Sequence, residues 1–162
     1  MKSYLTQSLK SYLDQLSAQI PAPGGGSAAA LTAALGAALI SMAAQYALKK
    51  KRPQADERLL RSVLRRSEQI RGKLQTLIDK DAQAYLQVVA ARNAPLSTRK
   101  AALRKAGKVP LDVARLCYEA LDLLPPLVEK GSSYLLSDVA VAGEFLFAAF
   151  KAAMINVRVN QE

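Results

Sequence analysis

Pro21-Ala22-Pro23-Gly24-Gly25-Gly26-Ser27 opens an alanine-rich run of about twenty residues that ends in Lys49, Lys50 and Lys51. Proline cannot sit inside a helix, and three consecutive glycines allow backbone angles that side chains forbid. The stretch therefore predicts a chain break, with Ser27 capping a helix that runs to Leu48. Bare N–H groups and the positive end of a helix dipole at such a start suit an oxyanion or a polarised carbonyl. The same composition also reads as a flexible connection between two helices.

Between Ile20 and Lys49 there is no charged residue, which raises the question of a membrane span. Thr32, Ser41 and Gln45 interrupt the apolar run. Leu31, Leu35, Leu39 and Met42 share one side at helical spacing, while Ala28, Gly36, Ala43 and Ala47 offer small surfaces to a neighbouring helix. The reading preferred over a membrane span is a buried central helix.

The 162 residues fit one domain, 1–162, rich in Ala and Leu, poor in aromatics and punctuated by seven prolines. No strand alternation and no repeat period is visible, so the expected class is all-α, a helical bundle with long antiparallel helices. No secretory signal is apparent in the first twenty residues, and Cys117 is the single cysteine; a cytoplasmic location is expected. Histidine is absent. That removes the usual imidazole base and, with one cysteine, any credible zinc site. Residues 49–73 carry ten Lys or Arg against three acids, and residues 92–108 carry six and none, within a net charge of +10. An anionic partner fits this distribution, as does plain solvated helix surface. Aromatic residues are not interleaved with the basic ones, so nucleic acid has no motif to support it.

In chain order, residues 3–20 read as an amphipathic helix whose stripe is Leu5, Leu9, Tyr12, Leu13, Leu16 and Ile20. After Pro53 a long helix is expected from Gln54 to about Asn93. Ser97 is expected to cap a short basic helix closed by Gly107, and Pro110 to open the next, kinked or ended by Pro125 and Pro126. A last helix should run from Ser137 to about Asn160.

Two places carry polar groups on otherwise apolar faces. The stripe Ile70, Leu74, Leu77, Tyr85, Val88 is continued between Leu77 and Tyr85 by Asp81, with Asp79 on another face. A carboxylate there must be hydrogen-bonded, paired or kept for a task. In the last helix, Asp138, Ala142, Phe145, Ala149, Ala152, Asn156 and Asn160 share a face. Asp138 and Asn156 stand about 27 Å apart along a straight helix. Either one of them is structural or the site lies between subunits.

Four blocks together resemble the cyclodeaminase and cyclohydrolase family of folate enzymes: Pro23-Gly-Gly-Gly-Ser27 with its Ala-rich helix and lysines, Asp81-Ala-Gln-Ala-Tyr85, Lys108-Val-Pro-Leu111, and Ser137-Asp-Val-Ala-Val-Ala142 through Asn156-Val-Arg-Val-Asn160. The resemblance implies an all-α homodimer that binds a tetrahydrofolate derivative, possessed of a polyglutamate tail or not, near the subunit interface. It implies chemistry at the one-carbon bridge between N5 and N10, by loss of ammonia or addition of water, with no metal. Carried over by position, Asp138 is the first choice for acid-base work and Asp81 the second. Gly24, Gly25, Gly26 and Ser27 would approach the pterin or its bridge. Lys49 and Lys50 would meet the glutamate tail, and Asn156 and Asn160 a pterin edge or the partner helix. Leu48 stands where the family often has glycine, and members commonly continue for another helix after the Asn-x-x-x-Asn block. The competing readings are a non-catalytic helical binding protein for an anionic ligand or nucleic acid, and a membrane-associated bundle.

Overall fold

The computed structural model describes residues 2–159. Among the described residues there are six α-helices and no strand: α1 Leu9–Leu16, α2 Gly25–Leu48, α3 Gln54–Ala90, α4 Leu96–Leu121, α5 Leu124–Lys130 and α6 Leu136–Val159. The class is all-α, as expected.

α2 lies at the centre, packed on α3, α4, α5 and α6. Its alanines, not its leucines, form the buried face. Ala30, Ala33, Ala37, Ile40, Ala44 and Ala47 are fully buried, whereas Leu35 is 49% exposed and Leu31, Leu39 and Met42 are half-buried. Small side chains let neighbouring helices come close, and the packing shows it. A Cβ added to Gly36 would lie 2.8 Å from Leu146 Cγ and 3.1 Å from the Ala142 carbonyl oxygen. One added to Gly25 would meet Asn156 at 3.8 Å. Residue numbers therefore rise along α2 as they fall along α6, and the two helices run in opposite directions. α2 is long and apolar enough to cross a membrane, and 61% of its most apolar window is buried inside the chain.

Several local expectations are corrected. The first predicted helix divides into a 3-10 turn at Tyr4–Thr6 capped by Ser3, and α1, capped by Ser8. Each serine offers an acceptor to a free N–H and so restarts the chain. Leu5, Leu9, Leu13 and Ile20 are exposed, and of the predicted stripe Tyr12 alone is buried. α2 starts two residues before Ser27, with Gly24 as its cap and no side-chain capping bond. The two helices expected around Gly107 and Pro110 are one, since Pro110 lies buried within α4. Pro95, not Ser97, precedes its first turn. Pro125 and Pro126 occupy the start of α5, where a missing N–H costs little.

Candidate active site

The start of α2 and the middle of α3 build the site. The chain turns through Pro21, Ala22 and Pro23 into Gly24, whose extended backbone leads straight into the first helical turn. Because that turn carries no side-chain cap, its N–H groups face whatever lies before it. What lies beside it is Asp81. A Cβ on Gly26 would sit 2.1 Å from Asp81 Oδ1 and 2.7 Å from Oδ2. The carboxylate thus occupies the space that any side chain at residue 26 would need, and Gly26 is a steric requirement.

Burial raises the Asp81 carboxyl above its ordinary value, while the Ser27 backbone N–H beside it pulls the other way. Ser27 is fully buried and its hydroxyl pairs with the Tyr12 hydroxyl at 3.1 Å. Tyr12 is itself raised by burial, opposed by the Ser27 hydrogen bond and reinforced by the negative charge of Asp81. Tyr12, Ser27 and Asp81 are therefore electrostatically one group, drawn from α1, α2 and α3. Sequence periodicity placed Tyr12 on an apolar stripe. The available signal was its phenol, which needs a hydrogen-bond partner when buried.

A cavity of about 360 Å³ opens on this group, walled by Pro23, the three glycines, Asp81, Tyr85, Ala106, Asn156 and Val159. Asn156 donates from Nδ2 to the Ala152 carbonyl at 3.0 Å, which leaves its Oδ1 and second amide hydrogen for a ligand. A groove of similar size, about 370 Å³, lies elsewhere between α3 and α4, around Lys73, Lys80, Asp112 and Arg115. Its polar groups are all solvent-facing; the Asp81 cavity holds a half-buried carboxyl whose proton affinity burial raises.

Gly24, Gly25, Gly26, Ser27, Asp81 and Asn156 are thus brought together. Asp79 is on the other face as expected, holding the N-terminal segment by accepting from the Ser3 hydroxyl and from the Tyr4 N–H at 2.8 Å. Asp138, Lys49 and Lys50 are not brought to this cavity within one chain. They lie at the opposite end of the α2/α6 pair, about 36 Å from Gly25 along α2 in the case of the lysines. There Lys49 stands over the Tyr46 ring at 4.8 Å and Lys50 over the Tyr134 ring at 5.8 Å. Asp138 occupies the first turn of α6. Asn160 lies outside the described residues. Among the described residues no three of Asp, Glu and Cys cluster to hold a metal ion.

Known proteins resemble the chain over most of its length. Residues 8–162 match the family described as formiminotransferase-cyclodeaminase. The chain is 37% identical to a methenyltetrahydrofolate cyclohydrolase of Methylorubrum extorquens, covering 95% of this chain and 79% of that protein. It is 31% identical to the formimidoyltransferase-cyclodeaminase of Rattus norvegicus, covering 98% of this chain but 31% of the larger protein. The crystal structure of a formiminotetrahydrofolate cyclodeaminase from Thermotoga maritima superposes with a TM-score of 0.93 at 31% identity, over 97% of this chain and 79% of that one. A triple-glycine helix start closed against a half-buried aspartate is thus found in a chain that belongs to the formiminotransferase-cyclodeaminase family.

Proposed function

We infer that the chain is a folate one-carbon enzyme acting at the N5/N10 bridge of tetrahydrofolate, by cyclodeamination of a formimino group or hydrolysis of the 5,10-methenyl bridge. The observation that carries this is the Asp81 carboxylate seated on the bare start of α2 at Gly26. Both reactions pass through a tetrahedral carbon between two nitrogens, and each needs a proton accepted from the nucleophile and returned to the leaving nitrogen. A carboxyl whose proton is held more tightly by burial is better suited than an exposed one to accept that proton and return it. In hydrolysis, water oxygen bonds to the methenyl carbon as its proton passes to Asp81. The carbon–nitrogen bond then breaks as that proton goes to the departing nitrogen and the adduct hydroxyl gives up its remaining proton to solvent, leaving a formyl group. The N–H groups opening α2 stabilise the oxygen that gains negative charge in the tetrahedral adduct, and Asn156 orients the pterin edge.

The site is completed by a second copy. Two observations support a dimer built on α2 and α6. Leu35 and Tyr46 of α2, and Val141, Phe145, Ile155 and Val159 of α6, are at least 36% exposed, which is unusual for so many large apolar groups on neighbouring helices. From the Gly25–Asn156 and Gly36–Leu146 register, both stripes fall on the same side of the helix pair. A two-fold axis through that face would lay the Lys49 end of one α2 beside the Gly25 end of the other. Asp138 of the partner subunit then approaches the cavity, resolving the separation of Asp138 from Asn156.

Near-ultraviolet absorbance of purified protein mixed with 5,10-methenyltetrahydrofolate, or with 5-formiminotetrahydrofolate, tests the assignment. A catalysed loss of the methenyl band in the first case, or its appearance in the second, is expected. A folded protein that changes neither spectrum would refute the reading.

A further inference from the structure

A second cavity of about 220 Å³ adjoins the first along the α3/α4 seam, lined by Tyr85, Val88, Val89, Arg92, Arg99 and Leu103. Tyr85 is a wall of both. On α3, Asp81, Tyr85 and Val88 follow one another at steps of four and three, and Arg92 continues the step just past the helix end. On α4, Ala106, Leu103 and Arg99 do the same in the opposite sense, with Ala106 at the Asp81 cavity and Arg99 at the second. The two cavities share the Tyr85 wall, with a carboxyl in the first and apolar side chains and two guanidinium groups in the second.

Among the described residues those guanidinium groups meet no acid. From Ala82 to Leu111 the sequence contains no Asp or Glu, and no ion pair among the described residues uses Arg92 or Arg99. Two arginines without an ion-pair partner, one just past the end of α3 and one in the first turn of α4, line one cavity and make a receptor for carboxylate, which a guanidinium binds through two parallel hydrogen bonds.

We propose that Arg92 and Arg99 bind the tail carboxylates of the folate whose one-carbon bridge lies at Asp81, an inference that rests on the function proposed above. Asp81 and Ala90, the last residue of α3, are nine residues and about 14 Å apart along the helix, and Arg92 follows in the turn just beyond. A folate offers matching chemistry in the same order: the bridge nitrogen, an aryl ring for the Tyr85, Val88, Val89 and Leu103 walls, and then the glutamate carboxylates. Lys49 and Lys50, expected from the sequence to meet this tail, lie a helix length from Asp81 in the same chain. Arg92 and Arg99 reach it without help from a second copy.

The test compares two substrates that differ in the tail alone, 5,10-methenyltetrahydrofolate and its pteroyl analogue lacking glutamate, on the wild type and on the Arg92→Ala/Arg99→Ala variant. Both side chains are exposed, so the variant should fold, as circular dichroism can verify. KM for the glutamate-bearing substrate is expected to rise about tenfold or more in the variant with kcat nearly unchanged, while KM for the tail-less analogue stays put. Arg92→Lys/Arg99→Lys should recover part of the loss. If the wild type turns over both substrates and the alanine variant still favours the glutamate-bearing one to the same degree, the arginines do not hold the tail and the functional assignment survives. If the wild type neither binds nor turns over either substrate, the assignment fails and this inference with it.

Discussion

The Asp81 carboxylate fills the volume that a Cβ on Gly26 would occupy, with Oδ1 only 2.1 Å from the built position. The contact joins the start of α2 to the middle of α3. Gly26→Ala must therefore push the carboxylate aside. Since a misplacement on the order of 1 Å costs about a hundredfold in rate, turnover of the variant should fall by about that factor. Helical circular dichroism should be retained, because the residue sits in a first helical turn. Wild-type turnover by Gly26→Ala would show that the placement of Asp81 is immaterial.

Asp81 also makes stability depend on pH, with a defined sign. Burial raises its carboxyl in the folded chain above the unfolded value, so the folded state holds the proton more tightly. Stability is then unaffected in acid, below the unfolded value, and is lost as pH rises through the interval up to the raised one. Asp81→Asn removes the ionisation. Its unfolding midpoint should exceed that of the wild type at neutral pH and converge with it in acid, while turnover is abolished. An offset between the two curves that does not change with pH would show that burial does not perturb this group.

Tyr12→Phe isolates the support behind the site. The phenol pairs with Ser27 at 3.1 Å and both residues are buried, so the variant leaves the serine hydroxyl short of a partner. A loss of about 1 kcal/mol in denaturant unfolding is expected. Turnover should fall while KM changes little, because Tyr12 acts through Ser27 on the turn that faces Asp81. A stability loss with unaltered kcat would reduce Tyr12 to a packing residue.

The sequence already contained the break at Pro23, the long helix from Gln54 and the inward turn of Asp81, because proline geometry and helical periodicity act locally. It misled where the outcome depends on a neighbour. Leucine normally outranks alanine as a core residue, yet Leu35 faces outward and Ala33 and Ala37 face inward, since α6 approaches α2 too closely at Gly36 for anything larger. Pro110 reads as a helix start, but tertiary packing holds it inside α4. The bond between Tyr12 and Ser27 joins residues fifteen positions apart on separate helices, and no spacing rule finds it.

The proposed dimer makes the site composite, and that can be read without a structure of the assembly. Leu35→Glu places a charge on the exposed apolar face of α2 and should shift the protein to monomer by light scattering, with activity lost alongside. Asp81→Asn and Asp138→Asn should each be inactive as homodimers. If each site takes Asp81 from one copy and Asp138 from the other, a mixed dimer carries one site with both aspartates intact and one with neither. Unfolding and refolding the two variants together in equal amounts should then restore about a quarter of wild-type activity, since half the dimers are mixed and half their sites are whole. Mixed dimers that form, as shown by tagged pull-down, yet remain inactive would place both aspartates in the same site of one chain, whereas an Asp138→Asn homodimer that keeps its activity would remove Asp138 from the chemistry. The separation of Asp138 from Asn156 along α6 argues against the first of these, so the measurement decides whether Asp138 reaches the bridge carbon from the second copy.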